Sequence, residues 1–224
     1  MKALLVDDHP LFLDGLALLF AHEFPSATVL QAGSLEAAHG LLARDPHVDW
    51  VLLDLGLPDS QGMTALERLR ESHPEPAYVV MSADERPATI LTAIELGAAG
   101  FVPKTARQGE LLAALRKMMS GGVYLPASVT AIEAGGAAPA VAGCAPEELG
   151  FSPRQADVLR LLIEGKPNKL IGRDLGLSES TVKTHLAAIF RKLEANTRTQ
   201  AVVAAARLGL HLPSVRSRAA RDLS

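Results

Sequence analysis

Through the first half of the chain, short β-rich or apolar runs alternate with stretches of helical spacing. The runs are Ala3–Val6, Thr28–Ala32, Trp50–Leu53, Tyr78–Met81 and Gly100–Val102. Unbroken apolar triplets such as Val51-Leu52-Leu53 fit strands buried on both faces, as in a parallel sheet. Between the runs, Leu11–Ala21, Leu35–Ala43, Met63–Glu71 and Pro87–Leu96 carry helical periodicity. A last helix is expected from about Ala106 to Met119, with Thr105 and Gln108 as its capping box. Five alternating βα units predict an α/β domain built on a doubly wound, five-stranded parallel sheet. Ligands bind such sheets beyond the carboxyl ends of the strands.

From residue 151 the strands stop and only helical spacing remains. Ser152-Pro153-Arg154-Gln155 is a start signal, with Ser as cap, Pro at the first position and Gln three residues on. Val158, Leu159, Leu162 and Ile163 follow at helical spacing, and Gly165 stops the helix. Asn168 to Leu175 makes a short helix ended by Gly176. Ser178 caps a third, which carries Val182, Leu186, Ile189 and Leu193 on one face. A fourth runs from about Thr199 to Leu208, before Gly209. The two helices joined by Leu175-Gly176-Leu177-Ser178 fit a helix-turn-helix. This half is therefore expected to be a separate all-α, four-helix domain.

Composition bounds the chemistry. With 224 residues the chain has room for one or two domains, and 48% hydrophobic content is enough to bury a core. The single cysteine, Cys144, excludes a disulfide framework and a Cys-rich zinc site. Aromatics at 4% argue against base-stacking platforms. No apolar stretch reaches the roughly 18 residues of a membrane span. The N-terminus reads as a strand, not as a signal peptide, so a cytoplasmic protein with no membrane partner is expected.

The formal net charge of −3 conceals an uneven distribution. Residues 1–125 hold 9 Lys+Arg and 16 Asp+Glu, residues 126–150 hold 3 Glu and no basic residue, and residues 151–224 hold 13 Lys+Arg and 6 Asp+Glu. The last segment is net basic and suits a polyanionic partner, nucleic acid first. The segment from Pro126 to Gly150, rich in Ala, Gly and Pro, reads as a linker. The boundaries expected are 1–122 and 149–212 for the two domains, 123–148 for the linker and 213–224 for a basic tail carrying Arg216, Arg218 and Arg221.

The residues at the strand ends carry the chemistry of the first domain. Strand one ends in Asp7-Asp8, strand three in Asp54 and strand four in Ser82, and Lys104 follows strand five. A parallel sheet brings all five to one edge. Carboxylates crowded together repel unless a cation is present. A hard divalent ion with oxygen ligands resolves this, and Mg2+ characteristically shares such a site with phosphate oxygens and water. A lysine beside the site suits a phosphoryl group, and a serine hydroxyl can hydrogen-bond it.

These residues resemble the receiver domain of two-component response regulators over positions 1 to about 121. The motif residues stand as Asp7-Asp8, Asp54 in LLDLGLP, Ser82 in VVMSA and Lys104 in GFVPK. The resemblance implies a flavodoxin-like receiver fold in which Asp54 accepts a phosphoryl group from the phosphohistidine of a sensor histidine kinase. It implies Mg2+ held directly by Asp8, through water by Asp7, and by Asp54 and the backbone carbonyl of Gly56. Lys104 would pair with a phosphoryl oxygen, Ser82 would swing toward it, and Phe101 would follow inward as the second switch residue. Pro103 precedes the lysine, where many receivers place a proline just after it. Gly56 and Asp84 occupy the variable positions that tune dephosphorylation in the family. His9 fits the family's DDHP variant and is assigned no catalytic role.

The second half resembles the LuxR-type helix-turn-helix of the NarL/FixJ response regulators over roughly 149–210. The residues that carry this are SPRQ, VLRLL, Gly165, NKLIG, LGLSESTVKTH, IFRKL and RTQAV. The resemblance implies a recognition helix at about Glu179–Leu193 whose start enters the major groove of double-stranded DNA. Lys183 and Thr184 are the candidates for base contacts. Asn168, Lys169, Thr181, Lys192 and Arg198 are the candidates for phosphate contacts, which position rather than specify. Ala187 stands where some relatives carry a basic or polar reader, and Leu170 replaces the acidic residue of NKEIA. A homodimer on two half-sites is expected when DNA is bound.

The function expected is a DNA-binding transcription factor switched by phosphorylation, and not an enzyme beyond its own phosphoryl chemistry. An aspartyl-phosphate phosphatase of the haloacid dehalogenase type also uses an Asp after a strand, but it wants a second Asp two residues on, where Gly56 stands. A receiver used only for protein interaction would not need the complete acidic set. An autoinducer-binding regulator would need an aromatic-lined pocket in place of the βα sheet.

Overall fold

The computed structural model describes residues 1–126, 128–129 and 144–210. Much of the linker and the whole basic tail lie outside the described residues. The chain divides into two compact units, the first built on Met1–Arg116 and the second gathering Lys117–Tyr124 with the C-terminal helices.

The first unit alternates strands and helices: β1 (Lys2–Val6), α1 (Pro10–Glu23), β2 (Thr28–Ala32), α2 (Leu35–Arg44), β3 (Trp50–Asp54), α3 (Thr64–Ser72), β4 (Ala77–Ser82), α4 (Pro87–Glu95), β5 (Gly100–Pro103) and α5 (Gln108–Met119). The strands pair in parallel in the order β2-β1-β3-β4-β5. In that order the connections leaving β1 and β3 run in opposite directions, toward β2 and β4, which opens a crevice at the carboxyl ends of β1 and β3. Burial follows position in the sheet. Ala3–Val6 and Val51–Leu53 are buried, as central strands between two helical layers must be, while Thr28–Gln31 of the edge strand β2 stay partly exposed. Pro103, which cannot donate to a ladder, sits on the other edge strand opposite Ser82.

Local chemistry sets the helix starts. Ser34 caps α2 by accepting from Ala37 N–H at 3.1 Å. The Asp59 carboxylate adds two more bonds, from Leu35 N–H and Glu36 N–H, both 2.9 Å. The capping box expected at Thr105 is not used. The Thr105 hydroxyl donates to Glu85, and α5 starts at Gln108, with Arg107 O accepting from Leu111 N–H at 3.0 Å. The helix starts two residues later than a Thr105 cap requires, and the hydroxyl proton is given to a distant carboxylate.

The second unit begins with a short 3-10 turn (Pro146–Leu149) and continues as α6 (Pro153–Ile163), α7 (Asn168–Leu175), α8 (Glu179–Lys192) and α9 (Arg198–Arg207). The Ser152–Gln155 capping box is formed, and a second one, Thr197–Gln200, starts α9. Val158, Leu159, Leu162, Ile171, Val182, Leu186 and Ile189 make the core, while Ile163 reaches the surface. Between α7 and α8, Gly176 takes φ +65, which a Cβ would strain. A Cβ on Gly172 would stand 2.6 Å from Leu177 O, so only glycine lets the turn close this tightly onto α7.

Candidate functional site

The carboxyl edge of the sheet collects the expected acidic residues. Asp7 and Asp54 are 2% and 4% exposed. Buried carboxylates need partners, and Lys104 supplies one to each. Its Nζ lies 2.7 Å from Asp7 Oδ2 and 2.8 Å from Asp54 Oδ2. Burial alone would lower the lysine pKa, but the bonds to Asp54 and Asp7 outweigh it and raise the value. The ammonium also sits 5.1 Å from the ring centre of Phe12. Strand pairing fixes the approach of Lys104, since its N–H donates to Ser82 O at 2.8 Å.

His9 is bound into this cluster more closely than its sequence position suggested. Its Nδ1 lies 2.7 Å from Asp8 Oδ1 and 3.1 Å from Asp7 Oδ1, and its backbone N–H donates to Asp7 Oδ1 at 3.0 Å. One potential ligand atom from each of Asp7, Asp8, His9 and Asp54 falls within 4.8 Å of the others. Three converging carboxylates around a single lysine leave an excess of negative charge and open oxygen lone pairs, a donor set suited to a hard divalent cation. The backbone at Gly56 supports the same fit. A Cβ there would come 3.2 Å from Asp54 Oδ2, crowding the carboxylate, so glycine keeps this side of Asp54 open.

A pocket of about 690 Å3 opens over the cluster, lined by His9, Asp54, Gly56, Ser82, Asp84 and Lys104 among others. Ser82 is 7% exposed, and its Oγ accepts from Asp84 N–H at 3.1 Å. Asp84 is held in turn by Arg86 at 2.6 Å and by the Thr89 hydroxyl at 2.8 Å. The Arg86 and Thr89 bonds pull its pKa far below the usual carboxylate range. Phe101 is fully buried in β5. Five residues, from the ends of β1, β3 and β4 and from the loop after β5, therefore meet in one place, where a small charged group can contact acids, an ammonium and a hydroxyl together.

The second candidate surface lies on α7 and α8. Lys183, Thr184 and Ala187 are exposed on α8, and Lys169 is exposed on α7. Thr184 Oγ already donates to Ser180 O at 3.1 Å, which leaves its lone pairs and methyl group available. Thr181 is tied to the helix start, its N–H donating to Ser178 Oγ at 3.1 Å. Two basic residues are engaged within the domain. Lys192 donates to Gly150 O and to Gln155 Oε1 at 3.1 Å, and lies 5.2 Å from the ring centre of Phe151. Arg198 donates to Asn168 Oδ1 at 2.7 Å and to Lys166 O, and its burial lowers the guanidinium pKa to about 10. These bonds pin the start of α6 to the end of α8, and the start of α9 to the start of α7. The sequence carried the positive charges but no sign of these carbonyl partners.

Comparison with known proteins matches both halves. Residues 3–116 match the family described as response regulator receiver domain, and residues 149–205 match the luxR family of bacterial regulatory proteins. The glycerol metabolism activator of Pseudomonas putida is 34% identical over 208 residues, covering 91% of this chain and 94% of that protein. The nitrate/nitrite response regulator NarL of Escherichia coli K12 is 32% identical over 200 residues, covering 89% and 92%. Among solved structures, the RcsB response regulator of Salmonella typhimurium shares the fold at TM-score 0.55 and 23% identity, over 91% of this chain and 96% of that one. Among the described residues, no helix is long and apolar enough to cross a membrane.

Proposed function

Because the chain belongs to the two-component response regulators of the NarL/FixJ type, which join a receiver domain to a LuxR-type DNA-binding domain, we propose that it is a transcription factor switched by phosphorylation of Asp54. The family is one of transcriptional regulators and not of typical enzymes, and the chemistry assigned here is confined to the chain's own carboxylate. The observation that carries the reading is the meeting of Asp7, Asp8, Asp54, Ser82 and Lys104 at one sheet edge, with Lys104 bridging Asp7 and Asp54.

The donor is the phosphohistidine of a sensor histidine kinase. An Asp54 oxygen attacks phosphorus, an O–P bond forms, and the N–P bond breaks with its electrons returning to the imidazole. Asp8 and Asp54, the backbone carbonyl of Gly56, and Asp7 through water would hold Mg2+, which neutralises charge on the phosphoryl oxygens. The Lys104 ammonium, already 2.8 Å from Asp54, is placed to follow a phosphoryl oxygen as it arrives. The Ser82 hydroxyl lines the same pocket and can donate to a second oxygen. Those new oxygens offer the Ser82 O–H an acceptor and compete for Lys104 against Asp7 and Asp54, and so a local charge event biases a two-state element that includes Phe101.

The output is binding to double-stranded DNA by the domain at 149–212. Lys183 and Thr184, exposed on α8, read base edges, while Lys169, Asn168 and Thr181 contact phosphates. Lys192 and Arg198 can contribute positive charge near phosphate while keeping their bonds inside the domain. A dimer on two half-sites is the binding form, and the cytoplasm is where a reader of bacterial DNA works. Incubation with a small phosphodonor and Mg2+ tests the assignment. The wild type takes up one phosphoryl group and Asp54→Asn takes up none; equal labelling of the two would remove Asp54 as the acceptor.

A further inference from the structure

On the receiver, away from the acidic pocket, two imidazoles meet between helices. His39 lies in α2 and His73 directly follows α3, and His39 Nδ1 stands 3.3 Å from His73 Nε2. The rings are tilted by 51° with centres 5.3 Å apart. Two histidine nitrogens bound to one tetrahedral Zn2+ at its normal bond lengths are separated by about 3.3–3.4 Å. The two rings share an N–H···N hydrogen bond as they stand, and its length matches the chord of a two-histidine site.

The backbone positions are fixed on both sides. α2 buries Leu35, Ala38 and Leu42 around His39. The Tyr78 hydroxyl, deep under β4, lies 2.7 Å from His73 O and 3.1 Å from Leu69 O. Neither ring has to be dragged into place, which keeps the entropic cost of assembling the pair low.

The surroundings carry both signs of charge. His39 lines an open cleft with Glu36, Asp59, Arg68 and Glu71. Glu36 is one turn before His39, Glu71 is two residues before His73, and both glutamates are exposed. Asp59 is committed to the α2 backbone: burial pushes its pKa up, but the bonds from the Glu36 and Leu35 N–H groups, with Arg68 adding to them, bring it below the ordinary value.

We propose that His39 and His73 form a two-histidine binding site for a borderline divalent transition metal of the Zn2+ type, bridging α2 and the end of α3, with water completing the coordination. The site differs in kind from the acidic pocket, whose carboxylates suit a hard, oxygen-seeking ion. It does not depend on phosphorylation of Asp54.

Equilibrium dialysis of Zn2+ against the full chain tests this, with Co2+ absorption reporting tetrahedral nitrogen ligation. Four proteins are compared: wild type, His39→Asn, His73→Asn and the Asp7→Asn/Asp8→Asn double variant, each checked for cooperative unfolding. His39→Gln stands in should His39→Asn fail to fold. The expected result is one Zn2+ retained by the double variant and weakened at least about tenfold by either histidine substitution, since even outer partners of a metal site contribute about that much. Zn2+ binding that survives both histidine substitutions, or that disappears with the Asp7/Asp8 pair, overturns the proposal. So does the absence of any saturable binding in the double variant.

Discussion

The Lys104 ammonium pairs with Asp54 at 2.8 Å while holding Asp7 at 2.7 Å, so one cation balances both buried acids. Removing it in Lys104→Met leaves two buried carboxylates without a counter-charge. Breaking a buried pair costs ~3–5 kcal/mol, and with Lys104 18% exposed the lower end applies. The lysine pKa is raised, so this stabilisation is complete at neutral pH and is lost only as pH climbs through the folded value, above about 10.4. Mg2+ should restore stability to the variant because it can replace the missing charge. Urea unfolding with and without Mg2+ reads this directly. A variant as stable as wild type without Mg2+, or one no more responsive to Mg2+, would contradict the pairing.

His39 gives a pH dependence of opposite sense. Its pKa is lowered by burial, by His73 and by Arg68. The unfolded chain therefore binds a proton more readily than the folded one below the ordinary histidine value of about 6.5. Stability from this group is present above about pH 6.5 and falls as pH drops through the folded pKa. Glu36, Asp59, Arg68 and Glu71 line the same cleft. In metal-free buffer with chelator, wild type should lose more of its urea midpoint between neutral pH and pH 5 than His39→Asn does. Parallel pH profiles would mean the imidazole pair contributes nothing.

The pattern of apolar runs located every strand of the receiver to within a residue at each end, because buried parallel strands require unbroken β-branched and aliphatic residues. The meeting of Asp7, Asp8, Asp54, Ser82 and Lys104 was equally legible, since strand-end residues of a parallel sheet converge whatever the details. What escaped the sequence were pairings between distant side chains and backbone. Thr105 had the spacing of a cap but gives its hydroxyl to Glu85. Lys192 and Arg198 had the charge of phosphate ligands but bond Gly150 O and Lys166 O. His39 and His73, 34 positions apart, carried no spacing signal and meet only because α2 and α3 pack together.

Asp59 is another such residue, and its contribution can be measured. Its carboxylate caps two N–H groups of α2 that have no helical partner, at Leu35 and Glu36. Asp59→Ala should cost about 1 kcal/mol, the usual value of a lost cap. Amide exchange should quicken at Leu35 and Glu36 more than at Ala37, which Ser34 still holds. Uniform protection across the three amides would show that the cap contributes little.

On the DNA-binding domain, the exposed and the engaged cations should separate by salt dependence. Lys169 is exposed on α7. As a phosphate ligand it releases a counterion on binding, so Lys169→Ala should weaken all sequences alike and reduce the salt slope by about 1. Lys183→Ala should instead lose ~1–3 kcal/mol of discrimination between a preferred site and a scrambled one. Lys192→Ala loses two hydrogen bonds and the contact with Phe151, so its main effect should be a lower melting temperature, with about 1 kcal/mol lost. Its salt slope should move less than that of Lys169→Ala, because the ammonium is already shared with Gly150 and Gln155. Titrations at several salt concentrations, paired with thermal unfolding, distinguish the three. If Lys192→Ala matched Lys169→Ala in slope while keeping its melting temperature, Lys192 would be a phosphate ligand and its bonds within the domain would be incidental.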